Sequence, residues 1–305
     1  MGEVMKEYVA GFIAGVATVI VGHPFDTIKV KLQAHNTGNE RMYRNALHCS
    51  THILRTEGLP GLYRGATSSF IGIAVESSIL FGAYSQTKTA LQGGRESGKP
   101  NLQTIIPSAA YGGAMISLIL CPAELVKCRM QVQGPDPIVC KDYHPRYNGP
   151  LDCAIKTVKN NGIKDLFRGG LATCLRETIG NSAFFTTYEL SRYFMHSTLK
   201  SQSNLTESQK IIFDVGTGVI TGGLGGMAFW TFVLPLDVAK TIIQTAPNMT
   251  ISRNPFNILH SVYKQAGFRG CYAGLGPTMM RAFPANAAAI VAWEFSAKIL
   301  GIPRL

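Results

Sequence analysis

Three stretches of the chain set a proline, an acid and a lysine in one fixed order: Pro24-Phe-Asp26-Thr-Ile-Lys29, Pro122-Ala-Glu124-Leu-Val-Lys127 and Pro235-Leu-Asp237-Val-Ala-Lys240. A glutamine follows each lysine by four residues: Gln33, Gln131 and Gln244. The chemistry open to these groups is the making and breaking of ion pairs. Acid and lysine, three residues apart, share a helix face. Within one helix such a pair contributes only about a few tenths of a kcal/mol. Three copies, each closing an apolar glycine-bearing stretch, point elsewhere. Three acids and three lysines can meet around a pseudo-threefold axis, pair between helices and shut a pore. The proline bends its helix and removes one ladder hydrogen bond.

The elements that carry the sextets follow from their spacing. Intervals of 98 and 113 residues between the prolines indicate a threefold internal repeat. The 305 residues then divide into repeats at 1–97, 98–205 and 206–305 within one integral domain. Only 15% of residues are charged, few for a soluble domain of this size. Leu102 to Ala123 and Val215 to Leu236 contain no Asp, Glu, Lys or Arg. Each is about 22 residues long, enough to cross a bilayer. Val9 to Phe25 is shorter and equally free of charge. A second set of segments carries charge in its middle: Ala66 to Thr87 with Glu76, Gly170 to Tyr188 with Arg176 and Glu177, and Gly274 to Trp293 with Arg281. The reading is an all-α membrane protein of six transmembrane helices, since open sheet edges cannot be satisfied in lipid.

Between the two spans of each repeat lies a polar stretch with helical pattern, such as Ala46 to Thr56 and Cys153 to Asn160. These predict three short surface helices on one side of the membrane. Each stretch ends in a pair of glycine turns: Glu57-Gly58 and Tyr63-Arg64-Gly65, Asn161-Gly162 and Phe167-Arg168-Gly169, Ala266-Gly267 and Tyr272-Ala273-Gly274. Gln92 to Asn101 and Thr198 to Glu207 link the repeats. Gly11 and Gly15, Gly112 and Gly113, and Gly218, Gly222 and Gly226 predict close helix approach in the odd-numbered spans.

Other functional classes lose support. The net charge of +11 flanks apolar spans and forms no aromatic-studded stripe, so it fits anionic lipid headgroups better than nucleic acid. The Arg64-Gly65 and Arg168-Gly169 turns precede helices whose free N–H groups can hold a phosphate. Seven cysteines without a C-x-x-C pair argue against a disulfide framework or a zinc site. No P-loop, nucleophile elbow or dinucleotide fingerprint occurs, so neither an enzyme nor a cofactor is expected. The first residues lack a presequence pattern, which leaves targeting information to be internal.

The triple Pro-x-acid-x-x-Lys with its downstream glycine turns resembles the mitochondrial carrier family, from about Tyr8 to Leu300. The resemblance implies a pseudo-threefold bundle of tilted helices around a central cavity in the inner mitochondrial membrane, working as a monomer by alternating access. It implies a matrix-side ring in which Asp26, Glu124 and Asp237 pair with Lys127, Lys240 and Lys29, braced by Gln33, Gln131 and Gln244. The family's cytoplasmic gate is an aromatic-acid-x-x-basic motif on each even helix. Tyr188-Glu189-Leu-Ser-Arg192 has it whole; Tyr84-Ser85-Gln-Thr-Lys88 lacks the acid, and Trp293-Glu294-Phe-Ser-Ala297 lacks the base. Lys88, Glu189, Arg192 and Glu294 therefore make a weaker gate. Its bridges are either Lys88 with Glu189 and Arg192 with Glu294, or Glu294 with Lys88 alone. The resemblance also gives Arg64, Gly65, Arg168 and Gly169 an anionic-lipid (cardiolipin-like) role.

The mid-helix charges bear on the substrate. Arg176 and Arg281 each stand seven residues after the turn glycine, at equivalent depth. Glu76 stands eleven after its own, about one helical turn further on. Ionisable groups mid-membrane are costly and usually line a functional cavity, although they can also pair structurally among themselves. Two guanidiniums can clamp a carboxylate, and Glu76, helped by Glu177, can receive a cation. Trp230 and the run Arg281-Ala-Phe-Pro-Ala-Asn286 resemble the basic amino-acid branch of the family. That resemblance implies exchange of arginine, lysine, ornithine or histidine. The alternative within the fold is a carnitine/acylcarnitine carrier, whose ligand also joins a cation to a carboxylate.

Overall fold

The computed structural model describes residues 3–35, 43–92, 100–132, 147–199, 207–246 and 252–300, and among these every regular element is helical. A long helix, one or two short elements and a second long helix follow one another three times along the chain. The long ones are α1 (Glu3–His35), α4 (Ala66–Gln92), α5 (Leu102–Val132), α7 (Gly170–Leu199), α8 (Glu207–Thr245) and α10 (Leu275–Leu300). Between them come α2 (Ala46–Thr56), the single turn α3 (Gly58–Leu62), α6 (Pro150–Asn161), a 3-10 turn at Ile163–Phe167, and α9 (Pro255–Cys271). Among the described residues three helices are long and apolar enough to cross a membrane: Phe12–Ala34, Leu102–Val132 and Ile220–Thr245. Each of these runs on past its proline through the whole sextet, so the helices outlast the charge-free stretches that announce them. The sextet charges can stay helical there because they pair with one another.

The short helices start where their sequence dictates. Asn45 caps α2 by accepting from the His48 N–H at 2.8 Å, and Asn254 caps α9 by accepting from Phe256 at 3.0 Å. Pro150 and Pro255 open α6 and α9, where the missing N–H is not needed. Their apolar stripes pack in one register. The residues four and eight after each motif proline form the receiving surface: Ile28 and Leu32, Val126 and Met130, Ala239 and Ile243. On them sit Cys49 and Ile53 of α2, Cys153 of α6, and Ile258 and Val262 of α9.

Among the described residues six glycines adopt positive φ: Gly58, Gly65, Gly162, Gly169, Gly267 and Gly274, between 66° and 86°. They are the two turn glycines of each third of the chain, a backbone that residues with a β-carbon rarely tolerate.

The chain divides into two compact units, one of Met1–Glu76, Leu118–Thr173 and Leu234–Arg304, the other of Ser77–Ser117 with Cys174–Val233. In the second unit the close approaches are real but differently placed from the four-residue glycine spacing. A β-carbon at Gly113 would lie 2.4 Å from the Glu177 carbonyl oxygen, so α5 and α7 touch backbone to backbone. At Gly225 it would meet Phe184 at 3.0 Å, whereas Gly222 and Gly226 face open space, as does Gly15 in the first unit. Spacing alone marks a smooth face; a neighbouring helix must still occupy it.

Gly113→Ala therefore forces two backbones apart and is expected to cost about 1–3 kcal/mol, while Gly222→Ala is expected to be neutral or slightly stabilising through helix propensity. Thermal unfolding of the two variants in detergent checks this; equal midpoints would refute the close contact.

Candidate functional site

The sextets converge in the first unit. Lys127 Nζ donates to Asp26 Oδ2 at 3.0 Å. Lys29 Nζ meets Asp237 Oδ2 at 2.7 Å, and Lys240 pairs with Glu124. Each acid thus holds the lysine of the next sextet along the chain, and the third returns to the first. The result is a closed cycle of three pairs across α1, α5 and α8. The pairs are largely buried, which raises the penalty for losing one partner to about 3–5 kcal/mol.

The turn glycines follow the same cyclic sense. A β-carbon at Gly65 would lie 3.3 Å from the Lys127 carbonyl oxygen. At Gly169 it would lie 3.1 Å from Gln244 Cγ, and at Gly274 2.9 Å from Lys29 Cγ. Each turn therefore rests on the lysine–glutamine segment of the next third. Only glycine combines that proximity with the positive φ these turns require.

The three glutamines do not act alike. Gln33 donates from Nε2 to Asp237 Oδ2 at 2.9 Å and accepts from Thr241 at 2.8 Å, so it braces one ion pair directly. Gln131 donates to Thr27 Oγ1 at 3.3 Å instead. Gln244 is buried, and its Oε1 and Nε2 make no hydrogen bond among the described residues. The neighbours differ: α8 supplies a hydroxyl at Thr241, where the matching positions of α1 and α5 are Val30 and Cys128.

Arg281 reaches the same cycle. Its Nη1 donates to Asp26 Oδ1 at 2.8 Å, leaving one Asp26 oxygen for Lys127 and the other for Arg281. Gly22 makes room for it, since a β-carbon there would stand 2.8 Å from Arg281 Nε. This tie between a mid-helix arginine and a sextet acid is absent from the sequence pattern.

A second tier of pairs anchors the short elements. Lys31 and Arg64 both engage Glu57, the latter at 2.8 Å. Arg129 reaches Asp165 at 3.0 Å, Thr157 at 2.8 Å and the Gln244 carbonyl at 3.2 Å. Burial alone would raise the Asp165 carboxyl, but hydrogen bonds from Arg129 and Asn161 outweigh it and hold it below the usual carboxylate range. The sequence signal for this tier is a basic residue two beyond the motif lysine, present as Lys31 and Arg129 and replaced by Ile242 in the third copy. Arg168 is only 3% exposed, so its side chain does not offer its charge at the surface. Gly65 and Gly169 immediately precede the first residues of α4 and α7.

The second unit holds the remaining charges. Arg176 pairs with its neighbour Glu177, and Asn181 donates to Glu177 Oε2 at 2.9 Å. Asn181 lies one turn beyond Glu177, a spacing that could have flagged it. Lys88 pairs with Glu189, and Tyr84 donates to the same carboxylate oxygen at 3.0 Å while stacking on Phe185 at 3.8 Å between ring centroids. Arg192 is exposed, and Trp230 packs edge-on against Phe229 at 5.2 Å. The side chains of Glu76, Asn286 and Glu294 lie outside the described residues.

Comparison with known proteins meets this geometry. A family model for the mitochondrial carrier protein matches residues 2–95, 99–199 and 213–303. A mitochondrial arginine transporter, BAC1, of Arabidopsis thaliana is 61% identical over 300 residues, covering 98% of this chain and 95% of that protein. A mitochondrial basic amino acids transporter of Bos taurus is 35% identical over 287 residues, with 92% and 88% covered. A mitochondrial carnitine/acylcarnitine carrier-like protein of Arabidopsis thaliana is 32% identical over 317 residues, with 99% and 100% covered. Three successive matches fall on the three sextets whose charges close into one cycle, and the chain belongs to the mitochondrial carrier family.

Proposed function

We propose that the protein is a secondary transporter that exchanges basic amino acids (arginine, lysine, ornithine, histidine) across the mitochondrial inner membrane. The observation that carries this reading is the near-full-length similarity to an arginine transporter in a chain whose sextet charges pair across α1, α5 and α8. In this reading the chain forms three repeats, 1–97, 98–205 and 206–305. The long helices α1, α4, α5, α7, α8 and α10 cross the bilayer, and α2, α6 and α9 lie at its surface. The cycle of Asp26, Glu124 and Asp237 with Lys127, Lys240 and Lys29 is the matrix gate. Lys88 with Glu189, together with Arg192 and Glu294, is the cytoplasmic one. Glu76 receives the substrate's cation, and Arg176, Glu177, Arg281, Trp230 and Asn286 complete the binding region. Anionic lipid docks at the helix starts after Arg64-Gly65 and Arg168-Gly169. One chain suffices for the pore.

The Arg281–Asp26 contact suggests how binding reaches the gate. A substrate carboxylate is a better partner for a guanidinium than an aspartate already shared with Lys127. Drawing Arg281 away leaves Asp26 with one cation in place of two, and the ring loosens where substrate has arrived. The energy for opening then comes from differential binding of the two states.

Uptake of labelled arginine into proteoliposomes preloaded with arginine, lysine, ornithine, histidine or carnitine tests the proposal. Exchange is expected with the basic amino acids; exchange with carnitine alone would move the protein to the carnitine reading.

The gate pairs are expected to respond to charge reversal unequally. Glu124→Lys or Lys240→Glu alone should lower exchange about tenfold or more, because each strands a buried charge. Combining them restores the pair and should recover most of that loss. The parallel swap of Asp26→Lys with Lys127→Asp should recover less, since Arg281 then faces a lysine. Equal recovery in the two double variants would show that Arg281 does not share Asp26.

Glu76 and the arginines should separate by substrate. Glu76→Gln is expected to weaken arginine and lysine about 10- to 100-fold, the range of a charge-assisted hydrogen bond, while sparing neutral citrulline. Arg281→Lys keeps charge but loses the planar fork, and should impair all carboxylate-bearing substrates alike. Competition by arginine, citrulline and agmatine reads this out. Agmatine competing as well as arginine in the unmodified protein would refute carboxylate recognition.

A further inference from the structure

We infer that His23 and Tyr63 are positioning residues that clamp the Tyr63-Arg64-Gly65 turn onto α1 at Pro24, making the first of the three sextet helices the most firmly held. The gating consequence rests on the transport reading above; the clamp itself does not.

Pro24 has no N–H, so the carbonyl of Ile20, four residues back, loses its helical partner. Tyr63 fills that vacancy: its hydroxyl donates to Ile20 O at 2.9 Å. The reverse connection is made by His23, beside the proline. Its Nε2–H donates to the Arg64 carbonyl at 2.9 Å. Ser69 Oγ, on the helix that follows the turn, donates to Nδ1 at 3.3 Å and so fixes the ring's tautomer. The Tyr63 and His23 rings are near parallel, 6.2 Å between centroids. His23 is 1% exposed, and its other polar neighbour is the Gln131 amide, 3.5 Å from Nε2. A side chain of the turn thus holds the helix backbone, and a side chain of the helix holds the turn backbone.

The other two copies lack one half or the other. In the second, Phe167 has no hydroxyl to offer the Leu118 carbonyl, and Cys121 in the place of His23 reaches the Arg168 carbonyl only through sulfur at 3.9 Å. In the third, Tyr272 is present, but Leu234 stands in the place of His23 and has no donor. The hydroxyl matching Ser69 there, that of Thr278, turns back to its own helix and donates to Gly274 O at 2.7 Å. A thiol is a weak donor, so the three clamps are graded.

Backbone amide exchange on the protein in lipid nanodiscs, without substrate, tests the clamp directly. In the unmodified chain residues 25–32 are expected to exchange more slowly than 123–130 and 236–243. Tyr63→Phe, which removes one partly exposed oxygen and leaves the packing intact, should speed exchange of 25–32 about fivefold, the factor set by one hydrogen bond of typical net strength. His23→Leu should do the same or more, and His23→Gln, which keeps an N–H donor, should recover part of the protection. Transport assays should show a changed maximal rate with KM for arginine within about twofold, because neither residue touches substrate. Unchanged exchange at 25–32 in Tyr63→Phe would overturn the clamp. So would a rise spread evenly over all helices, which marks mere loss of stability. A large KM change would place the pair in the binding site and overturn the positioning role. Loss of arginine transport in the unmodified protein would sink the transport reading and leave the exchange result standing.

Discussion

A carboxylate and an ammonium taken out of water must hold each other, because neither can be left alone at tolerable cost. The three sextets place that demand on three helices at once. Asp26 needs a partner on α5, Glu124 on α8 and Asp237 on α1. Satisfying any one pair brings two helices together; satisfying all three fixes a triangle. The register of the short helices on the residues four and eight past each proline, and the seating of each glycine turn on the next lysine, are compatible with one closure only. Breaking the cycle therefore disturbs more than charge.

The threefold pattern is one of backbone and ion pairs, and the side chains laid over it differ. The pair of Lys29 with Asp237 has the Gln33 amide directly on it. Asp26 carries a second cation, Arg281. The second-tier bases Lys31 and Arg129 give way to Ile242, which packs in an apolar cluster with Ile258 and Val262. A symmetric scaffold with unequal fittings need not open all three corners in step, and these differences show where the corners part company.

Much of this was legible because it is local. The prolines, turn glycines and caps act within a few residues, so Pro24 or Gly65 declares its backbone from its neighbours alone. Partner identity was legible where the family resemblance supplied it, as for the cyclic pairs. It was illegible where it hung on the meeting of elements far apart in sequence. Nothing in the run around Arg281 announces Asp26, which lies 255 residues away. The turn glycines were readable, whereas of the span glycines Gly113 makes the expected close approach and Gly15, Gly222 and Gly226 face open space. A positive φ is a property of one residue, whereas a close approach at Gly113 needs α7 to be there. Arg176 was ambiguous for the same reason: a guanidinium beside Glu177 can turn to its neighbour or to a ligand, and only side-chain placement decides.

The one-way sense in which each glycine turn sits on the next lysine segment has a topological meaning. Each third lends its turn to one neighbour and borrows a seat from the other, like tiles overlapped in a ring. A ring of overlapped tiles has no first tile, so the order in which the chain visits the three is immaterial to the contacts they make. Taking one third out of the ring would leave one turn without its seat and one buried acid without its lysine. Each third is thus at once support and supported, and a fault introduced in one is handed on to both of its neighbours.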